Sequence, residues 1–424
     1  FGSVFSSSWI RQPGECSMIS GLKLSDNQIA KLMSGILDES QDVIDSFARA
    51  VWSLITEPGD SFAAALISTL GAREVLSSEI NRISSKKYVE KIKTAGFSDE
   101  SGERFKNLDR LLVDARERWQ PRLKLSNVEK MLSVARQSRA KLFTPSNSLW
   151  PEQLEDLKLA VPHCLWLRGE LSVMSSSYQS LAVVGSRMAT SYGEWVTTEI
   201  VSAAAAEQLS IISGGAYGID AIAHRSALAM EIPTVAIMAG GVDRLYPSGN
   251  SELLGRVIKH GLVISEQAPG SNPTKWRFLQ RNRLIAALGS ATIVVEAGKR
   301  SGAINTAHHA VELHRPLGVV PGPINSPASA GCHNLIRENQ SSILVSAQDA
   351  VHLATGRWEP ELFEELPMGP LETRALDAMG RSQIAEPEIA TKAGLTTREL
   401  ITALGRLQLL GLVAQGERGW RKLT

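Results

Sequence analysis

Residues 181–224 constrain this chain more than any other stretch. The short apolar run 181–184 ends in Gly185-Ser186-Arg187, and a second run, 210–212, ends in Ser213-Gly214-Gly215-Ala216-Tyr217-Gly218. An apolar run, then glycines, then a helical pattern is how a parallel α/β sheet builds a phosphate site. The glycines let backbone approach a ligand, and the next helix offers unpaired N–H groups and a positive dipole end. Two such turns, the first carrying an arginine, point to a phosphate-rich ligand. They leave open whether it is a nucleotide or a nucleic-acid strand.

The alternation extends well beyond this stretch. Strand patterns recur at 181–184, 210–212, 234–238, 262–265, 291–295, 317–320 and 343–345, with helical patterns such as 192–208 and 306–313 between them. Residues 143–356 therefore read as a Rossmann-like, doubly wound, mostly parallel sheet, whose ligands bind beyond the carboxyl ends of the strands. Residues 1–45 read as an N-terminal extension with no assigned function; the chain opens without Met, and Met18 is expected to lie nearer the natural start. Residues 46–142 read as a small helical domain rich in Lys and Arg, including Lys86, Lys91, Arg118 and Arg122. A solvated helix face accounts for such charges; a nucleic-acid surface is the alternative. A Pro- and Glu-rich linker at 357–370 precedes helices expected at 371–379, 386–393 and 397–410 and a hairpin at 412–423. Thr396 and Glu399 form a capping box for the last helix. Three helices and a hairpin make a winged helix, which binds DNA in some proteins and other proteins elsewhere.

Composition bounds the classes. At 424 residues, 43% hydrophobic and 21% charged, the chain reads as an ordinary globular protein of two or three domains. Cys16, Cys164 and Cys332 lie far apart with no ligand spacing, which argues against a disulfide framework or structural zinc and fits a reducing cytoplasm. No apolar run approaches the roughly eighteen residues of a membrane span, so no membrane partner is expected. A net charge of +1 places any polyanion site in a local patch.

The patch stands out at 275–283, where Lys275, Arg277, Arg281 and Arg283 surround Trp276, Phe278 and Asn282. Arginine forks for phosphate and aromatic faces for bases are what a single-strand site needs. In a regular helix Arg281 and Arg283 lie about 200° apart, so they cannot both face one ligand. One of them is expected to brace a loop or a carboxylate such as Glu266 or Glu296. Tyr246 and Asn250 follow the strand pattern at 234–238 and are candidates for lining the same crevice. Asp220 and His224 share a helix face; a helix cap with a packed histidine is the simpler reading, catalysis the alternative. Gly214-Gly215-x-x-Gly218 is not the dinucleotide fingerprint, and no acidic residue sits where a ribose would be held, so no nicotinamide cofactor is expected.

The joint order of these stations resembles the DprA (Smf) family of DNA-processing proteins. The matching residues are Gly185-Ser186-Arg187, Ser213–Asp220 with His224, Tyr246-Pro247-x-x-Asn250, Ser265-Glu266 and Arg281-Asn282-Arg283. They continue with Glu296-Ala297, Ser301-Gly302, Thr306-Ala307 and Pro321-Gly322. The sequence departs from the family at Leu279-Gln280, where a proline usually precedes R-N-R. The resemblance implies a cofactor-free, non-enzymatic binder of single-stranded DNA in natural transformation. It further implies protection of incoming strands, loading of the RecA recombinase, a homodimer, and an N-terminal domain of the SAM or helix-hairpin-helix kind. Phosphate and DNA contacts are then expected from Gly185, Ser186, Arg187, Ser213, Gly214, Gly215, Gly218, Tyr246, Asn250, Lys275, Arg281, Asn282 and Arg283.

A second resemblance, to LOG-like nucleoside-monophosphate glycosidases on a related Rossmann variant, is an enzymatic alternative. There Thr306 stands roughly where the catalytic glutamate would be, and a threonine cannot serve as carboxylate acid/base. Glu266 or Glu296 would have to substitute.

Overall fold

A computed structural model describes residues 24–37, 41–96, 107–176, 179–338, 341–357, 368–416 and 418–423. The expected start near Met18, Cys16 and most of the linker, 358–367, lie outside the described residues. The chain divides into two compact units, Phe1–Arg357 and Trp358–Thr424.

The first unit begins with helices α1 (Asp26–Met33), α2 (Val43–Ile55), α3 (Ser61–Leu70), α4 (Ala72–Ile80), α5 (Ser85–Thr94), α6 (Leu108–Trp119) and α7 (Leu125–Ser138). Side chains start several of them: Asp42 accepts the N–H groups of Ile44 and Asp45, and Asp60 accepts that of Ala63. Trp52 and Trp119 meet edge to face at 5.0 Å in their centre. This helical core is continuous with buried residues of the following sheet, among them Trp166, Met238 and Val263. The Trp166 indole N–H donates to Ser53 Oγ at 3.1 Å, tying the two layers.

The sheet has nine strands: β1 (Lys141–Phe143), β2 (Leu165–Gly169), β3 (Ser180–Val184), β4 (Ser210–Ser213), β5 (Thr234–Ile237), β6 (Leu262–Ser265), β7 (Ala291–Val294), β8 (Leu317–Val319) and β9 (Ser342–Ile343). Their order is β1-β2-β6-β5-β4-β3-β7-β8-β9. From β6 to β9 every pair is parallel; β1–β2 and β2–β6 are antiparallel. Every residue of β3 to β7 is buried, as strands covered on both faces require. The covering helices are α8 (Val173–Ser176), α9 (Ser191–Ala206), α10 (Ile219–Ala229), α11 (Ser251–His260), α12 (Lys275–Leu288), α13 (Gly302–Glu312), α14 (Ala330–Arg337) and α15 (Ala347–Thr355).

The seven strands expected from the sequence all form, within a residue or two of their expected ends. The antiparallel extension β1–β2 was not anticipated. The chain winds from β3 out to β6, then returns to place β7 against the other side of β3. That reversal opens a crevice beyond the carboxyl ends of β3 and β7.

The second unit comprises α16 (Pro370–Asp377), α17 (Glu386–Ala393), α18 (Thr397–Leu409) and the antiparallel pair β10 (Val413–Gly416) and β11 (Gly419–Lys422). Its core joins Leu376, Ile389, Leu400, Leu404, Leu407 and Trp420. The expected capping box is present, with Thr396 Oγ1 accepting the Glu399 N–H and the Glu399 carboxylate accepting the Thr396 N–H. Among the described residues no helix is long and apolar enough to cross a membrane.

Candidate functional site

The first glycine turn leaves β3 at Val184 and crosses tightly packed ground. A Cβ on Gly185 would stand 2.6 Å from Ile219 Cγ1 and 3.0 Å from the Glu296 carbonyl oxygen, so only glycine fits. Ser186 closes the turn, its Oγ accepting the Met188 N–H at 3.2 Å and donating to the Met188 carbonyl at 3.0 Å. Its carbonyl accepts the Ile219 N–H, which ties the turn to the start of α10. Arg187 is thereby presented outward, its guanidinium 5.5 Å from the Phe278 ring centre.

The second turn has the same kind of sequence and a different fate. Asp220 folds back and accepts the N–H groups of Gly214 (3.2 Å) and Ala216 (3.4 Å). The chain's own carboxylate thus fills the nest that the glycine pattern offers to a phosphate. Burial pushes the Asp220 carboxyl above its ordinary range, opposed by Arg281 and by backbone N–H groups. Asn250 Nδ2 donates to the carbonyls of Gly215 and Ala216, both at 3.0 Å, and Ser213 Oγ donates to the Val183 carbonyl at 2.7 Å. Gly218 sits at φ +72°, and a Cβ there would collide with the Ser186 carbonyl oxygen. His224, wholly buried, shares a 2.7 Å hydrogen bond with Thr234 Oγ1; burial pulls its pKa down to about 3. The packed histidine of the simpler reading is what the fold contains; the cap is not, since Gly218 begins α10 with no side-chain cap bond and Asp220, inside the first turn, reaches back to the loop.

Between the first turn and α12 lies a crevice of about 780 Å³. Seven of the thirteen expected residues line it: Gly185, Ser186, Arg187, Tyr246, Lys275, Arg281 and Asn282. The other six are not among its lining. Ser213 holds the Val183 carbonyl, Gly214 is bonded to Asp220 and Arg281, Asn250 holds the Gly215 carbonyl, and Gly218 packs under Ser186. Arg283 faces away from the crevice and grips Glu266 through two 2.6 Å bonds, as the helical phase of R-N-R requires. The side chains of Ser213, Asn250 and Arg283 are thus bonded within the protein.

The four cations at 275–283 divide in the same way. Arg277 forms a fork on Glu57, both bonds 2.9 Å, and Arg283 is taken by Glu266. Lys275 and Arg281 face the crevice. Arg281 is only 5% exposed; it donates to the carbonyls of Gly214, at 2.7 Å, and Ile237. Its guanidinium lies 5.7 Å from the Phe278 ring centre, so one ring carries two cations. Burial lowers the Arg281 pKa to about 10; Asp220 opposes the shift and Arg187 adds to it. Arg281 is still charged at neutral pH. Two neighbouring guanidinium groups repel, and an anion between them relieves that repulsion.

Further features complete the site. Thr274 caps α12 and Ser301 caps α13, and the first residues of both helices line the crevice, adding N–H groups and positive dipole ends. Tyr246, 48% exposed, lies 5.7 Å from Phe278, so two aromatic faces stand beside the cations. Phe278, read from the sequence as one of the patch's aromatics, belongs to the lining, and so does Arg300, exposed in the loop after β7, which was missed as a site residue. Serine before a helical run just past a strand end was the available signal for the Arg300-Ser301-Gly302 corner.

The carboxylates a glycosidase would need are committed elsewhere. Glu266 is held by Arg283, and Glu296 accepts both the N–H and the hydroxyl of Thr190 at the start of α9. Asp220 is the one carboxylate among the crevice-lining residues, and it is occupied by the second turn.

Comparison with known proteins converges on one family. Residues 141–355 match the family model described as DNA recombination-mediator protein A. A putative DNA processing protein DprA of Mycobacterium tuberculosis is 41% identical over 269 residues, covering 62% of this chain and 69% of that protein. Protein Smf of Escherichia coli is 31% identical over 311 residues, covering 70% and 81%. Among solved structures, DNA processing protein A (DprA) from Streptococcus pneumoniae superimposes with a TM-score of 0.55 at 27% identity. That match covers 74% of this chain and 97% of the other.

Proposed function

The chain belongs to the DNA recombination-mediator protein A family, and from that premise we propose that it binds single-stranded DNA in the crevice between the first glycine turn and α12. The observation that carries this reading is the pairing of Arg187 and Arg281 around Phe278, facing two helix N-termini. Fixed cations and dipole ends take phosphates whatever the sequence, and the exposed Tyr246 ring beside the half-buried Phe278 takes bases that have no partner strand. A duplex buries those base faces in its own stack, so it gains only the charge.

The DNA-processing names of the relatives support a role in handling DNA during natural transformation. Within that role we infer that the protein shields incoming strands and passes them to the RecA recombinase, working as a homodimer. The family resemblance supports these finer steps.

Fluorescence anisotropy with a labelled oligothymidine and its duplex tests the reading. The parent binds the single strand more tightly than the duplex, with a log–log salt slope of about −2 from the exposed cations Arg187, Lys275 and Arg300. The double variant Arg187→Ala/Arg300→Ala loses at least about tenfold in affinity while melting normally. Unchanged affinity in that folded variant overturns the assignment.

A further inference from the structure

Helix α12 has a second shoulder that the crevice does not use. Its first turn places Lys275 in the crevice and the very next residue, Trp276, in a separate groove against the N-terminal helices. Consecutive helical residues point about 100° apart, so the two side chains straddle one turn of helix. Trp276 is 53% exposed, an unusual state for the largest apolar side chain on a fully helical turn. The groove, about 360 Å³, is bounded on its other side by Pro58, Phe62, Leu111 and Arg118 of the helical region.

The charges around it favour an anion. The two carboxylates in the groove are already partnered: Glu57 by Arg277 (2.9 Å) and Arg122 (2.8 Å), Asp60 by the Trp119 indole N–H (3.0 Å) and the Ala63 N–H (3.1 Å). Arg118 is exposed and donates to the Asp114 carbonyl of its own helix, and among the described residues it forms no ion pair with a carboxylate. Arg118, Arg122 and Arg277 set three positive charges against the two negative charges of Glu57 and Asp60. An exposed indole face beside an unneutralised arginine, one helical turn from a cationic crevice, has the chemistry of a base-stacking step on a single strand.

We propose that the strand leaving the crevice crosses the first turn of α12, stacks a base on Trp276 and sets a phosphate against Arg118. The N-terminal helical region then contributes directly to strand binding. This inference rests on the crevice reading above and extends its footprint beyond the Rossmann-like sheet.

The test is a length series with the full chain. Labelled oligothymidines of about six and about twenty nucleotides, within and beyond the usual site sizes for sequence-tolerant binders, are titrated against the parent, Trp276→Ala, Trp276→Phe and Arg187→Ala. Trp276→Ala is expected to lose about tenfold on the long strand and to bind the short one like the parent, with Trp276→Phe largely restored. Arg187→Ala is expected to weaken both lengths. If Arg187→Ala weakens both and Trp276→Ala matches the parent on the long strand, the exit path is wrong and the crevice stands. If Arg187→Ala changes neither length, the crevice reading fails and takes this inference with it. A folded Trp276→Ala protein, checked by circular dichroism, is assured by the exposure of the side chain.

Discussion

The two glycine turns of the sheet carry nearly interchangeable sequence signatures and do opposite things. The turn after β3, Gly185-Ser186-Arg187, closes on its own serine and leaves an arginine facing a crevice. The turn after β4, Ser213 to Gly218, is closed from every side: Asp220 from below, Asn250 across its carbonyls, Arg281 on the Gly214 oxygen. A nest of backbone N–H groups binds whichever anion is nearest, and here the nearest is six residues along the same chain. On the proposed reading the first turn is therefore a contact and the second a brace. The R-N-R segment repeats the lesson at side-chain level, since Arg283 holds Glu266 while Arg281 stands at the crevice floor.

This division makes stability and binding separable. Arg283→Ala strands Glu266 as a buried unpaired charge and is expected to cost about 3–5 kcal/mol of stability, measured by denaturant unfolding. A loss below about 1 kcal/mol would mean that the pair carries no structural load. Asp220→Ala leaves the Gly214 and Ala216 N–H groups without an acceptor and should cost about 2–3 kcal/mol. If that variant kept its stability and lost strand affinity, the second turn would belong with the first. Gly215→Glu sharpens the contrast. Gly215 sits at φ +67° with Leu254 3.0 Å from any added Cβ, outside the crevice lining. It should lose about 1–3 kcal/mol of stability while the folded fraction binds within about twofold of the parent. Normal melting with lost binding would restore the nest as a phosphate site. The smallest effect is expected from ending the chain at Arg357, the border of the first unit. Affinity for a single strand should stay within about twofold, and a tenfold drop on titration would assign the second unit a share of the strand.

Much of this was legible in the chain. Short apolar runs placed all seven strands from β3 to β9; for β3 to β8 the reason is that buried strands have little freedom in composition, while β9 is exposed. The phase of Arg281 and Arg283 followed from 100° per residue alone, and the structure turns one inward to Glu266 as expected. The capping box at Thr396 was readable because both of its bonds are local. What escaped depended on partners remote in sequence. Nothing near Arg277 announces Glu57, which is 220 residues away. Likewise β2 owes its place to pairing with β6, Trp166 opposite Ser265, and its own three apolar residues are too few to show a period. The occupied nest was missed for a subtler reason. Asp220 was visible at a helix start, but glycine turns with and without an internal carboxylate read alike until the backbone is folded.

Arg187 is where the account is most exposed. It is the side chain that the first turn exists to present, it makes its ring contact with Phe278, and it lies at the surface. The decisive measurement is the salt dependence of single-strand affinity for the parent and for Arg187→Ala, read by anisotropy between about 50 and 200 mM salt. The account predicts weaker binding at every salt concentration and a log–log slope shallower by about 0.7, one phosphate contact fewer, with unfolding unchanged. An Arg187→Ala protein that binds with the parent's affinity and the parent's slope would contradict it.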